Sequence, residues 1–285
     1  MSLLSVVLSG ILMISSCNNA AEKTGKPVLP NYDLSSPEKY KMPESLLEIS
    51  GITFNNQAAD TFYAIQDEDG KVFRFAWKDT NRKPHTKFAK TGDYEDLAIV
   101  NKKLFILKSN GVIFSFPLND SRYEELDSVQ ETRGLLPKEE YEGMYGEEGT
   151  NLLYVLCKKC KGGSDKELVT GYIIQAGAYP LTISGQFEID VEAIKPFSGS
   201  VKNGFRPSGL AKNPVTNEWF IISGVNKLLV VTDDKWKVKG AYHLSGNTFN
   251  QPEGITFDKA GNLYISNEGD DIVDGNILRF QRMTK

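Results

Sequence analysis

Short runs of apolar and β-branched residues recur along the chain, each about five residues long and closed by Gly, Asn or Asp. Leu104-Phe105-Ile106-Leu107, Leu153-Tyr154-Val155-Leu156, Trp219-Phe220-Ile221-Ile222 and Leu228-Leu229-Val230-Val231 are of this kind. Such runs, bounded by turn formers, predict β-strands. A helical period is nearly absent, with one turn expected around residues 135–140. The pattern predicts an all-β protein.

The strands also repeat as groups. Five of them open on a polar or acidic residue, a small or acidic one, then aliphatic positions: Ile49-Ser50-Gly51-Ile52, Tyr94-Glu95-Asp96-Leu97, Tyr141-Glu142-Gly143-Met144, Pro207-Ser208-Gly209-Leu210 and Pro252-Glu253-Gly254-Ile255. Aligned on Gly51, Asp96, Gly143, Gly209 and Gly254, the spacings are 45, 47, 66 and 45 residues. Three of the four match one four-stranded propeller blade. A second and a third strand follow each motif, so a five-bladed β-propeller is expected over residues 37–285. The long spacing is read as an insertion in the third blade; a sixth, degenerate blade in that gap is the alternative. Five residues remain after Phe280, too few for an outer strand of the last blade. Lys39-Tyr40-Lys41-Met42 is expected to supply that strand, closing the ring and covering an open edge.

The first residues read differently. Residues 2–16 form an apolar run of signal-peptide length, too short for a membrane span. They lead into Ile14-Ser15-Ser16-Cys17, which resembles a bacterial lipobox and implies a lipid on Cys17, although no Lys or Arg precedes the run. A buried N-terminal helix is the competing reading. Residues 1–17 are thus read as a lipoprotein signal peptide. Residues 18–36, polar and Pro-containing, are read as a flexible tether. Together these predict a lipid-anchored protein of the bacterial cell envelope, periplasmic or surface-facing, touching the membrane through its anchor alone.

Charge and composition narrow the chemistry. The 285 residues carry 33 basic and 37 acidic side chains, a net −4, with no basic block that would suit nucleic acid. Only His85 and His243 are present, so a site here is built from carboxylates, amides and hydroxyls. No G-x-S-x-G elbow, P-loop or H-E-x-x-H occurs. Asp67-Glu68-Asp69-Gly70 resembles the start of an EF-hand loop but lacks its closing Glu and is read as a β-turn. Cys157-Lys158-Lys159-Cys160 lacks the further ligands a zinc site needs, and in an exported protein reads as a tight-loop disulfide, with reduced thiols as the alternative.

The fifth repeat, Gln251-Pro252-Glu253-Gly254-Ile255-Thr256-Phe257-Asp258-Lys259-Ala260-Gly261-Asn262-Leu263-Tyr264-Ile265, resembles an NHL-type propeller repeat. With the motifs at Glu48–Ile52, Gly92–Leu97 and Tyr141–Met144, the chain from about Tyr40 to Phe280 resembles the SdiA-regulated family of exported bacterial proteins. That resemblance implies a five-bladed propeller with a calcium site, and no particular reaction.

In a propeller the inner strands line a central channel, so Ser50, Glu95, Glu142, Ser208 and Glu253 are expected to converge. Carboxylates brought together raise one another's pKa unless a cation neutralises them. Oxygen donors without thiol or imidazole suit a hard ion, calcium. Asp67 and Glu268, each following a second strand, are placed at the same mouth or in solvated loops. Alternatively the glutamates hydrogen-bond backbone amides, or Lys158 and Lys159 neutralise them. Two functions follow from this expectation: a monomeric calcium-holding module that binds an unidentified small molecule or envelope protein, or a calcium-dependent hydrolase acting on a lactone, ester or phosphate.

Overall fold

A computed structural model describes residues 27–79, 83–160, 167–199, 201 and 204–284. The expected signal peptide and Cys17 lie outside these residues.

Among the described residues, twenty strands form five four-stranded antiparallel sheets. Blade 1 contains β2 (Ile49–Phe54), β3 (Phe62–Gln66), β4 (Lys71–Phe75) and β5 (His85–Lys87). Blade 2 contains β6 (Tyr94–Val100), β7 (Lys103–Lys108), β8 (Ile113–Pro117) and β9 (Gln130–Thr132). Blade 3 contains β10 (Glu140–Glu147), β11 (Leu152–Lys159), β12 (Leu168–Gln175) and β13 (Thr182–Asp190). Blade 4 contains β14 (Gly209–Lys212), β15 (Trp219–Ser223), β16 (Leu228–Thr232) and β17 (Val238–His243). Blade 5 joins both ends of the chain: β18 (Pro252–Phe257), β19 (Leu263–Asn267) and β20 (Asn276–Phe280) are completed by β1 (Glu38–Lys41). Glu38 pairs with Arg279 and Lys41 with Asn276, so the expected closing strand is present in antiparallel register. Five blades make the ring, and the sixth is excluded.

Blade 3 explains the spacing of 66 by three additions. Its strands run to eight or nine residues. Eight residues of sequence separate the end of β11 from the start of β12, and a connection over residues 191–208 carries a 3₁₀ turn and the short helix α1 (Lys195–Ser198). The helical turn expected at 135–140 is absent: residues 135–139 form bends and β10 opens at Glu140. Leu136 is buried and Tyr141 hydrogen-bonds the Pro137 carbonyl, so tertiary packing holds the segment without a helix.

Alternation along each strand sends apolar side chains into the seams between blades. Between blades 3 and 4, Trp236 stacks on Phe187 with ring centroids 3.6 Å apart and on Trp219 at 4.4 Å. Between blades 5 and 1, the Phe54, Phe62 and Tyr264 rings meet at 4.4–5.4 Å. Burying such side chains contributes about 1.5–3 kcal/mol each, which welds neighbouring blades and holds the channel between them.

The described part of the expected tether is docked. Leu29 and Tyr32 are buried, and Tyr32 packs between Phe220 of blade 4 and Phe257 of blade 5. Its hydroxyl donates to the Gly261 carbonyl (2.6 Å) and accepts from Asn213 Nδ2 (2.9 Å). A free linker through residue 36 is therefore corrected: the chain is held from Leu29 onward.

Candidate functional site

Each motif sits at the start of an inner strand, and in four blades the ladder slips there. The register shifts fall between Ile49 and Ile52, Tyr94 and Asp96, Tyr141 and Gly143, and Pro252 and Ile255. A bulge re-aims the side chain it carries. Here the bulged residues are Ser50 with Gly51, Glu95, Glu142, and Glu253 with Gly254, so the irregularity turns three carboxylates toward the axis.

The same residues close the ring by touching the next blade. Ser50 Oγ donates to the Glu95 carbonyl (2.6 Å), joining blade 1 to blade 2. Asp96, fully buried, accepts from the amides of Leu97 (2.8 Å) and of Met144 in blade 3 (2.7 Å). Burial still pushes its carboxyl well above the usual range, although both amides pull the other way. Ser208 Oγ donates to the Pro252 carbonyl (2.7 Å) and Ser266 Oγ to the Ser50 carbonyl (2.6 Å). Gly254 has no room for a side chain, since a Cβ there would stand 2.6 Å from the Ser50 carbonyl oxygen. Its glycine is required by close approach.

At this end the channel opens into a cavity of about 380 Å³. It is lined by Ser50, Glu95, Glu142 and Glu253 from the inner strands, and by Asp67, Lys158 and Glu268 from the ends of the second strands. Glu48, Asp93 and Gln251 complete its polar wall. Of the expected residues, Glu95, Glu142, Glu253, Ser50, Asp67 and Glu268 thus share one space. Ser208 does not line it. Its hydroxyl is used between the Pro252 carbonyl and the Gly224 amide (3.2 Å), a joint between blades. Glu48, Asp93 and Gln251 were not anticipated, yet each lies two residues before a motif residue. The period of two along a strand puts such pairs on one face, and that signal would have found them.

The lining therefore holds seven carboxyl groups and one ammonium. Glu142 is buried and paired with Lys158, whose Nζ lies 3.9 Å from Glu140 Oε1 as well. Five of the remaining acids, Glu95, Glu253, Asp67, Glu48 and Glu268, carry the strain of burial among like charges. Burial, and then the Asp93 charge, push Glu95 up to about 9, against the pull of Lys158. Burial and Glu268 bring Glu253 to about 7, with Lys158 and Lys227 opposing. Burial and Glu48 bring Asp67 to about 6. Glu48 and Glu268 are raised as well, each chiefly by burial. One Asp67 oxygen, Oδ1, is buried with no hydrogen-bond partner among the described residues. Lys158 thus pairs with one acid and only partly offsets the burial of the others.

The donor set fits a hard cation: carboxylate, amide and hydroxyl oxygens, with neither sulfur nor imidazole in the lining. Its carboxylates are spread around the wall. Among the described residues, the one group of three donors all within 4.8 Å is Glu139, Cys157 and Cys160. There a disulfide joins the two cysteines, with Cα atoms 5.8 Å apart, so no thiolate is on offer.

Five blades around a channel with an acidic mouth define a β-propeller with a polar axial site. Residues 206–271 match the family model SdiA-regulated, a stretch covering blade 4 and the two inner strands of blade 5. Solved propellers share the architecture. The glutaminyl cyclase of Myxococcus xanthus superposes with a TM-score of 0.56 at 11% identity, covering 87% of this chain and 96% of that one. A luciferin-regenerating enzyme gives 0.53 at 9% identity over the same shares. A Bacteroides thetaiotaomicron protein of unknown function gives 0.51 at 12%, covering 87% and 74%. These likenesses show the fold alone. No curated protein matches the sequence.

Proposed function

We propose that this protein is a cell-envelope binding propeller whose acidic mouth takes calcium. The observation that carries the reading is the set of seven carboxyl groups converging on one cavity with a single lysine among them. Acids held at raised pKa values by burial and mutual repulsion gain most from a dication, because it removes both penalties together. The spread of the carboxylates suits an ion that keeps part of its water, as calcium does with 6–8 oxygen ligands. Glu95, Glu253, Asp67 and Glu268 would hold it, with the free Asp67 Oδ1 as an unspent donor. Bound calcium would supply charge that stiffens the mouth for a ligand.

Attachment through a lipid on Cys17 and residence in the bacterial envelope belong to the same proposal and rest on the lipobox-like Ile14-Ser15-Ser16-Cys17. A monomer is the expected working state.

Calorimetric titration with calcium tests the site. Saturable binding in the wild type and at least a tenfold loss of affinity in Glu253→Gln are expected. Absence of heat at millimolar calcium, or equal binding by the variant, would sink the proposal. A hydrolase is the second reading, favoured by one observation: burial and Glu268 leave Glu253 near 7, where a carboxyl both accepts and donates protons. Turnover of a lactone, ester or phosphate substrate that stops on chelation would favour it over a binding module.

A further inference from the structure

The two ends of the channel differ in what leaves them. Inner strands run from the acidic mouth to the opposite end, so the turns after β14 and β18 lie on the far face. The N-terminal strap docks on that face: Tyr32 is bonded to Asn213 in the first turn and to Gly261 in the second. Beyond β20 the chain comes to the same place, where the Met283 amide donates to the Asn31 carbonyl (2.9 Å). Going backward from Leu29, the chain therefore leaves the propeller on the face opposite the acids.

Apolar side chains surround this exit. Val28 is 79% exposed, Met283 51% and Val215 46%. Val215 stands close enough to Gly261 that a Cβ there would meet it at 2.9 Å. Lys259, in the turn that carries Gly261, is also exposed. Exposed aliphatics beside a cation suit the interfacial layer of an anionic bilayer, where apolar burial and basic charge act together. The other face exposes aliphatics too, Ile272, Val225 and Val273, but sets them among acids, beside the acidic mouth and in the loop carrying Asp270, Asp271 and Asp274 after Glu268.

We infer that the strap orients the propeller on the membrane, with the Val28, Val215 and Met283 rim against the lipid and the acidic mouth pointing away. This rests on the lipid anchor proposed above. Cys17 stands ten residue steps before Pro27. Ten steps span about 17 Å on average as an unstructured linker and about 35 Å fully extended. A blade strand of five or six residues is itself ~17–20 Å tall. A bilayer at the acidic mouth would need the tether drawn past its mean span around the outside of the ring, and would bring like charges together. A bilayer at the exit face needs neither. The orientation leaves the acidic mouth open to calcium and to soluble ligands.

Depth-dependent quenching tests the orientation. The full chain, acylated in cells, is placed in vesicles of phosphatidylcholine and phosphatidylglycerol containing a nitroxide lipid. One fluorophore is attached at Val215→Cys or at Ile272→Cys, the latter replacing a 93% exposed residue in the loop at the acidic face. At least threefold stronger quenching at position 215 is expected; equal quenching, or stronger quenching at 272, overturns the inference. Tyr32→Ala should bring the ratio toward one while the melt stays cooperative, and an unchanged ratio refutes the role of the strap. If that variant does not fold, Leu29→Ser takes its place with the same readout. The mass of the N-terminal peptide separates the two proposals. An unmodified Cys17 defeats the anchor, while the same labelled chains coupled through Cys17 to a maleimide lipid still decide the orientation.

Discussion

The channel's two ends are built by the same five strands and treat charge in opposite ways. The far end encloses about 270 Å³ lined by Gln57, Tyr145, Asn213 and Thr256, with the Glu147–Lys212 couple at its wall and Glu148, exposed, accepting from the Asn101 amide (2.7 Å). There Glu147 meets Lys212 at 2.7 Å and the Thr150 hydroxyl at 2.7 Å. Burial pushes the Glu147 carboxyl up, but these partners more than offset it, and its pKa falls below the ordinary value. At the acidic mouth, Lys158 answers Glu142 while Glu95, Glu253 and Asp67 stay raised. The fold does not impose this frustration, since the far end avoids it. Uncompensated charge at one end alone marks the end that awaits a partner.

The sharpest break of the comparison removes the lysine. Lys158→Met keeps most of the stem and leaves buried Glu142 without its cation. Stripping one partner from a buried pair costs roughly 3 kcal/mol, so a clear fall in urea stability is expected in chelator. Millimolar calcium should restore most of it, because the ion takes over the neutralising role. A loss that calcium leaves untouched would show that the mouth is a self-sufficient ion-pair network.

The next effect is a pH dependence. Glu95 and Glu253 have folded pKa values of about 9 and about 7, above the ordinary 4.5. Above pH 4.5 the unfolded chain releases these protons while the folded chain keeps them, so the folded state binds more protons and stability falls as pH rises. For Glu253 the fall ends near pH 7, and for Glu95 it continues to near pH 9. Without calcium, Glu253 alone should cost about 3 kcal/mol of stability from pH 5 to pH 7, given that one pKa unit corresponds to ~1.4 kcal/mol, and Glu95 should extend the fall beyond pH 7. The double variant Glu95→Gln, Glu253→Gln should flatten the curve, and saturating calcium should flatten it in the wild type. A wild-type curve already flat in chelator would contradict the raised values.

Much of this was legible in the sequence because a propeller is periodic. Repeats spaced 45–47 residues apart gave the blades, and equivalent positions in equivalent blades met at the axis, which is why Glu95, Glu142 and Glu253 share a cavity. Symmetry also misled. Ser208 holds a ring position by alignment, but blade 4 lacks the bulge, its strand pairs regularly from Gly209 to Ile222, and the hydroxyl bonds backbone instead. Tyr32 escaped notice for another reason. It is one aromatic in a polar, non-periodic stretch, and its seat exists only once blades 4 and 5 are adjacent. Glu48 and Asp93 were readable from the period of two, given the bulged residues as anchors.

The smallest effect sharpens the contrast most. Lys212→Met, at the far end, removes the ammonium facing Glu147 and its contact over the Trp219 ring at 5.3 Å. Both side chains of the pair are about one-fifth exposed, so solvent screening limits the loss to about 1 kcal/mol. Its pH signature has the opposite sign. A carboxyl with lowered folded pKa contributes stability that is present above its unfolded value and is lost as pH falls through the folded one. The wild type should therefore lose this contribution below about pH 4.5, and Lys212→Met should lack that acid-side loss. Calcium should change the variant little, because the far end holds two acids, Glu147 and Glu148, where the mouth holds seven. Urea melts at pH 3.5, 5 and 7, with and without calcium, give both answers. Rescue of Lys212→Met by calcium as complete as that of Lys158→Met would mean that the two ends do not differ in the way their charges are held.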